Sequence, residues 1–147
     1  NALIKSRAVS KYTGLPALSD DTGLEVDALN GAPGVYSARY AGENVSYEEN
    51  VDKLLLEMSQ INNESRTARF RTVMSFSYID FEFWTEGVVE GVITKNKIGE
   101  SGFGYDPVFK EIKTGKTFAQ MTNDEKNQIS HRGIALKKMC ILLNKKS

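Results

Sequence analysis

Residues 68–78 read ARFRTVMSFSY, and their alternation decides the fold class. Ala68, Phe70, Thr72, Met74, Phe76 and Tyr78 alternate with Arg69, Arg71, Val73, Ser75 and Ser77. A repeat of two belongs to an extended chain, whose successive side chains point to opposite faces. The stretch therefore predicts a long strand with one face on a core. Residues 81–94 supply its antiparallel partner, with Gly87 and Gly91 marking bulges.

On either side of this pair the period becomes helical. Upstream, Val51, Leu54, Leu55 and Met58 are spaced i, i+3, i+4, i+7 behind a Ser46–Glu49 capping box, which predicts a helix with one buried face. The opening NALIKSRAVSKYTG predicts a helix over 1–12, capped by Asn1 and stopped by Gly14, with Ile4, Ala8 and Tyr12 along one face. Residues 15–20 and 24–29 read as two short strands of a hairpin around DDTG, and 30–42 as irregular. Downstream, 98–107 is a glycine-rich loop, and Thr122 with Glu125 caps a short helix. Ser130 opens the last helix, whose buried stripe is Leu136, Met139, Cys140 and Leu143. Strands and helices together make an α/β protein. All 147 residues fit one domain. A chain that begins in a helix without an initiator Met is expected to lack an upstream segment.

Composition narrows the function. Nineteen Lys and Arg balance nineteen Asp and Glu, so no excess of positive charge selects duplex nucleic acid. The longest strongly apolar run, MCILL at 139–143, is far shorter than a membrane span. The single cysteine, Cys140, reads as a small apolar filler in a reducing compartment.

Against this neutral background SDDTGLEVD at 19–27 gathers four carboxylates. One reading is a solvated turn, since Asp, Thr and Gly are turn formers. The other is a place for a cation. Neighbours on an extended chain face opposite ways, so Asp20 and Asp21 cannot both aim into one pocket. SGFGYDP at 101–107 is equally open: Phe103 between two glycines could stack on a nucleobase, or Phe103 or Tyr105 could plug a core. In EKNQISHRG at 125–133, the lone His131 could be structural, yet Lys126, Ser130, His131 and Arg132 gather donors at a helix start. Acids near residue 21 and donors near 130 are complementary halves of a metal–nucleotide site, if the fold joins them.

ALSDDTGLEVDALNGAPGVYSARYAG, GFGYDPVF and ISHRGIAL, in this order, closely resemble the inosine triphosphatase family, the pyrophosphatases of non-standard purine nucleoside triphosphates. The resemblance extends from NALIKSRAV to the last helix. It implies an elongated mixed, largely antiparallel twisted β-sheet flanked by helices in two lobes, with the active site in a central cleft. It also implies Mg²⁺-dependent hydrolysis of ITP, dITP and XTP to the monophosphate and pyrophosphate by a cytoplasmic homodimer. Carried over by motif, Asp21 is the general base and a metal ligand, with Asp20 beside it, and Thr22 touches substrate. The resemblance makes Phe103, Gly104, Tyr105 and Asp106 the expected base-binding loop, with Phe103 stacking on the purine. It makes Lys126, Ser130, His131 and Arg132 the remaining expected substrate contacts and matches Lys5 to a family lysine near the phosphates. His131 and Arg132 as donors would favour the 6-carbonyl of inosine over the amino group of adenosine.

The family also has an upstream strand and phosphate-binding loop, with a further acidic metal ligand, that these residues do not contain. Three readings follow: a pyrophosphatase, a truncated non-catalytic nucleotide-binding chain, and an unrelated scaffold whose turns mimic the motifs.

Overall fold

The computed structural model describes residues 2–79 and 81–146. The long alternating stretch is β3, Thr67–Tyr78, and its partner is β4, Phe81–Ile93, paired from Thr67↔Val92 to Tyr78↔Phe81. On the other side of β3 runs β1, Ala17–Val26, paired from Ala17↔Ser77 to Val26↔Ala68. The short strands β2, Pro33–Gly34, and β5, Phe109–Glu111, complete the order β2-β1-β3-β4-β5. Every ladder among the described residues is antiparallel. Among the described residues four α-helices flank the sheet: α1, Ala2–Thr13; α2, Tyr47–Glu57; α3, Asn123–Ile129; and α4, His131–Lys146.

Residues opposite one another in a ladder share a face. Leu24, Phe70 and Val89 stand together, as do Thr22, Thr72 and Gly87, on the face that carries the core. There α2 contributes Val51 and Leu54, the residue that caps its C-terminus contributes Met58, and the chain after β4 contributes Val108, Phe109 and Phe118. Phe70 meets Phe109 edge-on at 4.7 Å between centroids and lies parallel to Phe118 at 5.6 Å. Such pairings add to the burial of large rings. The opposite face carries Arg69 and Arg71 interleaved with Glu25, Asp27, Glu86 and Glu90, a half-exposed lattice of ion pairs.

Several expectations need correction. The acidic segment is no hairpin: Asp20, Asp21, Thr22 and Gly23 pair in unbroken register with Met74, Val73, Thr72 and Arg71. The long ladder of β3 overrides the turn preference of these residues. Gly23 serves a close approach instead, because a Cβ there would meet the carbonyl of Gly34 at 2.7 Å. Gly87 and Gly91 mark no bulge either, since both lie in continuous register. A Cβ on Gly87 would strike the backbone of α4 at His131 and Ala135, and one on Gly91 would meet the Phe109 ring at 2.6 Å. Both glycines let another element lie directly on the strand.

The helix faces also differ. In α1 the buried residues are Ala2, Ser6 and Ser10, whereas Ile4 and Tyr12 are exposed. Ser6 Oγ lies 2.9 Å from Ser75 Oγ and 2.7 Å from Ser77 Oγ, so small hydroxyls let this helix sit close on the sheet. It lies on the face opposite α4, which is why Ser75 and Ser77 are buried at that end of β3. The expected Asn1 cap lies outside the described residues. Gly14, at φ +70°, ends α1 as expected. In α4 the buried stripe is His131, Ala135 and Met139, with Leu143 half-buried and Leu136 and Cys140 exposed. Its rotation is set by Gly87 and by Thr85 Oγ1, which donates to the Ala135 carbonyl at 2.8 Å. The caps of α2 and α3 lie where the sequence put them: Ser46 accepts from the Glu49 N–H, and Thr122 and Glu125 close a full capping box.

Candidate active site

The core face of the sheet is not filled from end to end. Between α2 and the start of α4 it leaves a cavity of about 810 Å³, floored by Leu24, Phe70 and Met74. That is the size and largely apolar character expected of a small-molecule pocket. One wall is α2 with the turn at Ser37 and Ala38. The other is formed by the 103–106 loop, α3 and the first turns of α4.

The glycine-rich loop sends its two aromatics different ways. Tyr105 is the plug: its ring is buried and its hydroxyl donates to the Ser37 carbonyl at 2.7 Å. Burial pushes its phenol far above the usual range, so it stays a neutral donor. Phe103 is 51% exposed at the cavity mouth, a ring with no core to fill. Asp106 holds the loop in shape. It is buried, accepts from the Phe103 N–H at 3.0 Å and pairs with Lys126. Gly102 must be glycine here, because it sits at φ +80° and a Cβ would collide with the Asp106 carboxylate. Gly104, at φ +60°, faces open space. The Lys126 ammonium, besides its ion pair, lies 4.8 Å from the Phe103 ring centre.

Arg132 joins this wall to the acidic strand. Its Nε approaches Asp20 Oδ2 and Thr22 Oγ1, each at 3.3 Å, and its Cζ lies 5.6 Å from the Phe103 ring centre. Asp20 and the start of α4 thus meet beside the cavity, which Thr22 and Arg132 line. Asp21 points to the other face, as alternation requires. Its Oδ1 lies 3.8 Å from Lys5 Nζ, which also donates to the Asp20 carbonyl at 3.2 Å. Among the described residues β1 pairs with β2 only at Leu24 and Glu25, so 17–23 form an open edge where Asp20, Asp21 and Lys5 remain accessible. Among the described residues no group of three or more His, Cys, Asp or Glu side chains is arranged so that it could hold a metal ion.

Ser130 and His131 line the cavity with unequal freedom. The Ser130 hydroxyl accepts from the Gly133 N–H at 3.1 Å and so caps α4. His131 is buried, stacked on Phe70 at 4.6 Å and on Phe118 at 6.1 Å, and its Nδ1 has no partner. Burial, then the charges of Arg132 and Lys126, push its imidazole down to about 3. It is therefore neutral near pH 7 and offers one N–H, where two donors were open to a charged ring.

This depression has a stability consequence. Because the folded value lies below the unfolded value of about 6.5, folding sheds a proton. The contribution is complete above about pH 6.5 and is lost as pH falls toward 3, at up to about 1.4 kcal/mol per pH unit. Urea unfolding between about pH 6.5 and about pH 5 should show the protein losing stability more steeply, by about that slope, than a His131→Phe variant. Parallel curves would refute it.

Three wall residues carried no chemical signal in the sequence. Asn50 is buried on α2 and clamps the 37–41 turn, accepting from the Ala41 N–H at 2.8 Å and donating to the Ala38 carbonyl at 3.1 Å. Ser37 Oγ accepts from the Leu24 N–H at 3.0 Å and donates to the Gly34 carbonyl at 2.6 Å. Tyr47 stands at the first turn of α2, facing the mouth. Apolar spacing could place α2, but not the turn that folds against it.

Known proteins share this arrangement. The Ham1 family matches residues 1–141. A Bacillus subtilis protein named dITP/XTP pyrophosphatase is 50% identical over 144 residues, covering 97% of this chain and 73% of that protein. The Staphylococcus aureus Ham1 protein superimposes with a TM-score of 0.94 at 46% identity, over 99% of this chain and 76% of that one. A HAM1 protein from Coxiella burnetii gives 0.93 at 41% identity, over 98% and 75%. Fold, motif order and identity along nearly the whole length agree: the chain belongs to the Ham1 family.

Proposed function

We propose that this protein hydrolyses non-standard purine nucleoside triphosphates (dITP, ITP and XTP) to the monophosphate and pyrophosphate, clearing aberrant purines from the nucleotide pool. The observation that carries the reading is Arg132, which spans from the exposed Phe103 ring to Asp20 and Thr22 and so links a base platform to an acidic edge. The Bacillus subtilis and Salmonella typhimurium relatives, named for dITP and XTP hydrolysis, support it. They do not favour the non-catalytic alternative.

In this reading Phe103 stacks on the purine, and Asp106 and Lys126 hold its loop. The Arg132 guanidinium and the single His131 N–H donate toward the 6-carbonyl. Thr22 and Lys5 reach the phosphates along the open edge of β1. Asp21 takes the proton from the water that attacks the α-phosphorus, and the bond to the bridging oxygen breaks to release pyrophosphate.

The donor set fits a hard divalent cation. Asp21 is part exposed, and its one ion pair is long. Mg²⁺ is commonly held by one or two carboxylates together with substrate phosphates and water. Asp21 would hold the ion together with substrate phosphates and water, whereas Asp20, on the opposite face of β1 and paired with Arg132, is not placed to share it. The ion when bound would neutralise the triphosphate and the departing pyrophosphate.

Cytoplasmic residence and a homodimer belong to the same proposal. No helix among the described residues is long and apolar enough to cross a membrane. Exposed Leu18 shares a face with Phe76 and Phe83, a surface a second copy could cover.

Incubation with dITP and Mg²⁺ should yield dIMP and pyrophosphate in equal amounts. Orthophosphate release, or binding without turnover, would overturn the reading.

A further inference from the structure

Tyr47 occupies an odd place for a large aromatic. It is the first residue of α2, immediately after the Ser46 cap, and is 60% exposed while Asn50, Val51 and Leu54 on the same helix are buried. It fills no core. It lines the cavity instead, with its ring centre 6.0 Å from that of Phe103 and the planes tilted by 42°. The two rings come from opposite walls, so their contact crosses the cavity mouth.

We propose that Tyr47 is a second base-binding residue, forming with Phe103 a two-sided aromatic clamp that takes the purine between the rings. This rests on the function proposed above. Stacked carbon atoms sit about 3.5–4.0 Å apart, so a planar base between two rings needs them about 7–8 Å apart. The free spacing of 6.0 Å must therefore widen by about 1–2 Å. The two walls differ in their ability to yield. Tyr47 stands on a helix fixed by the Ser46 cap and by the Asn50 bonds to Ala38 and Ala41. Phe103 stands between Gly102 and Gly104, both at positive φ, on a loop held by the Asp106 carboxylate and the Tyr105–Ser37 bond, with its own half-exposed ring packed into no core. The Phe103 side opens, and Tyr47 is the fixed jaw. Without ligand, the tilted pair covers the apolar floor.

The clamp touches only the base, so it acts on binding and leaves the phosphorus chemistry alone. Tyr47→Ala is expected to raise KM for dITP and weaken dIMP binding by about 5- to 150-fold, the range for losing one stacking face, with kcat within about twofold. Tyr47→Phe keeps the ring and should match the parent protein in both. Tyr47→Leu keeps apolar bulk without a π face and should behave like Ala. If Leu restores KM and dIMP affinity, the role is packing and the clamp is wrong. Unchanged KM in Tyr47→Ala, or a loss confined to kcat, also overturns it. A parent protein that neither hydrolyses dITP nor binds dIMP refutes the underlying function instead, so the two failures are distinct.

Discussion

Asp21→Asn is expected to lower kcat for dITP by about 10²- to 10⁴-fold while nucleotide binding stays within a few fold, the range for removing a positioned general base. The amide has the shape of the carboxylate but cannot accept a proton from water. The fold should not suffer. Asp21 is part exposed on the open edge of β1, and its 3.8 Å approach to Lys5 is the kind of surface pair that adds little stability. Steady-state turnover, dIMP affinity and thermal unfolding separate the effects. Turnover near the parent level would remove Asp21 from the mechanism. Loss of turnover together with a lowered melting temperature would mark a structural role.

Arg132→Ala is expected to shrink the preference for dITP over dATP, read as the ratio of kcat/KM values, by roughly 100-fold. The guanidinium carries five N–H donors, and its approach to Asp20 and Thr22 runs through Nε. Its Cζ lies 5.6 Å from the Phe103 ring centre, so a base stacked on that ring would come within reach of the terminal nitrogens. A 6-carbonyl satisfies such donors. An adenine amino group leaves them unpaired, and the cost of buried unpaired donors gives the discrimination. Removing the donors removes that cost, so dATP should gain relative to dITP even as both bind less well. Arg132→Lys keeps the charge without the planar fork and should recover part of the ratio. An unaltered ratio in Arg132→Ala would place base selection elsewhere in the cavity.

Legibility in the sequence followed how local the deciding physics is. The β3–β4 pair was readable because alternation over eleven residues has one structural meaning, and the caps at Ser46 and Thr122 because they close within one turn. What failed depended on a distant neighbour. Asp20–Gly23 carry turn chemistry, yet become strand because β3 offers them a partner along their whole length. Ile4 and Ser6 both fit helical stripes, and the serines of β3 decide which one is buried. Gly87 reads as a bulge until α4 is seen lying on it.

The site divided in the same way. Motif resemblance located Phe103, Asp106, Lys126 and Arg132, and the fold sets them around one cavity. Alternation along an extended chain already required Asp20 and Asp21 to face opposite sides of β1, but nothing in the sequence showed that each would stand beside a cation from a different helix. Nor could it expose Tyr47, whose interest lies wholly in what stands across the mouth from it.

Hydrolysis of dITP in oxygen-18-enriched water, with products separated and weighed by mass spectrometry, tests the central claim most directly. Attack of a water activated by Asp21 on the α-phosphorus places the label in dIMP and leaves the pyrophosphate unlabelled. Label in pyrophosphate or in orthophosphate would contradict it.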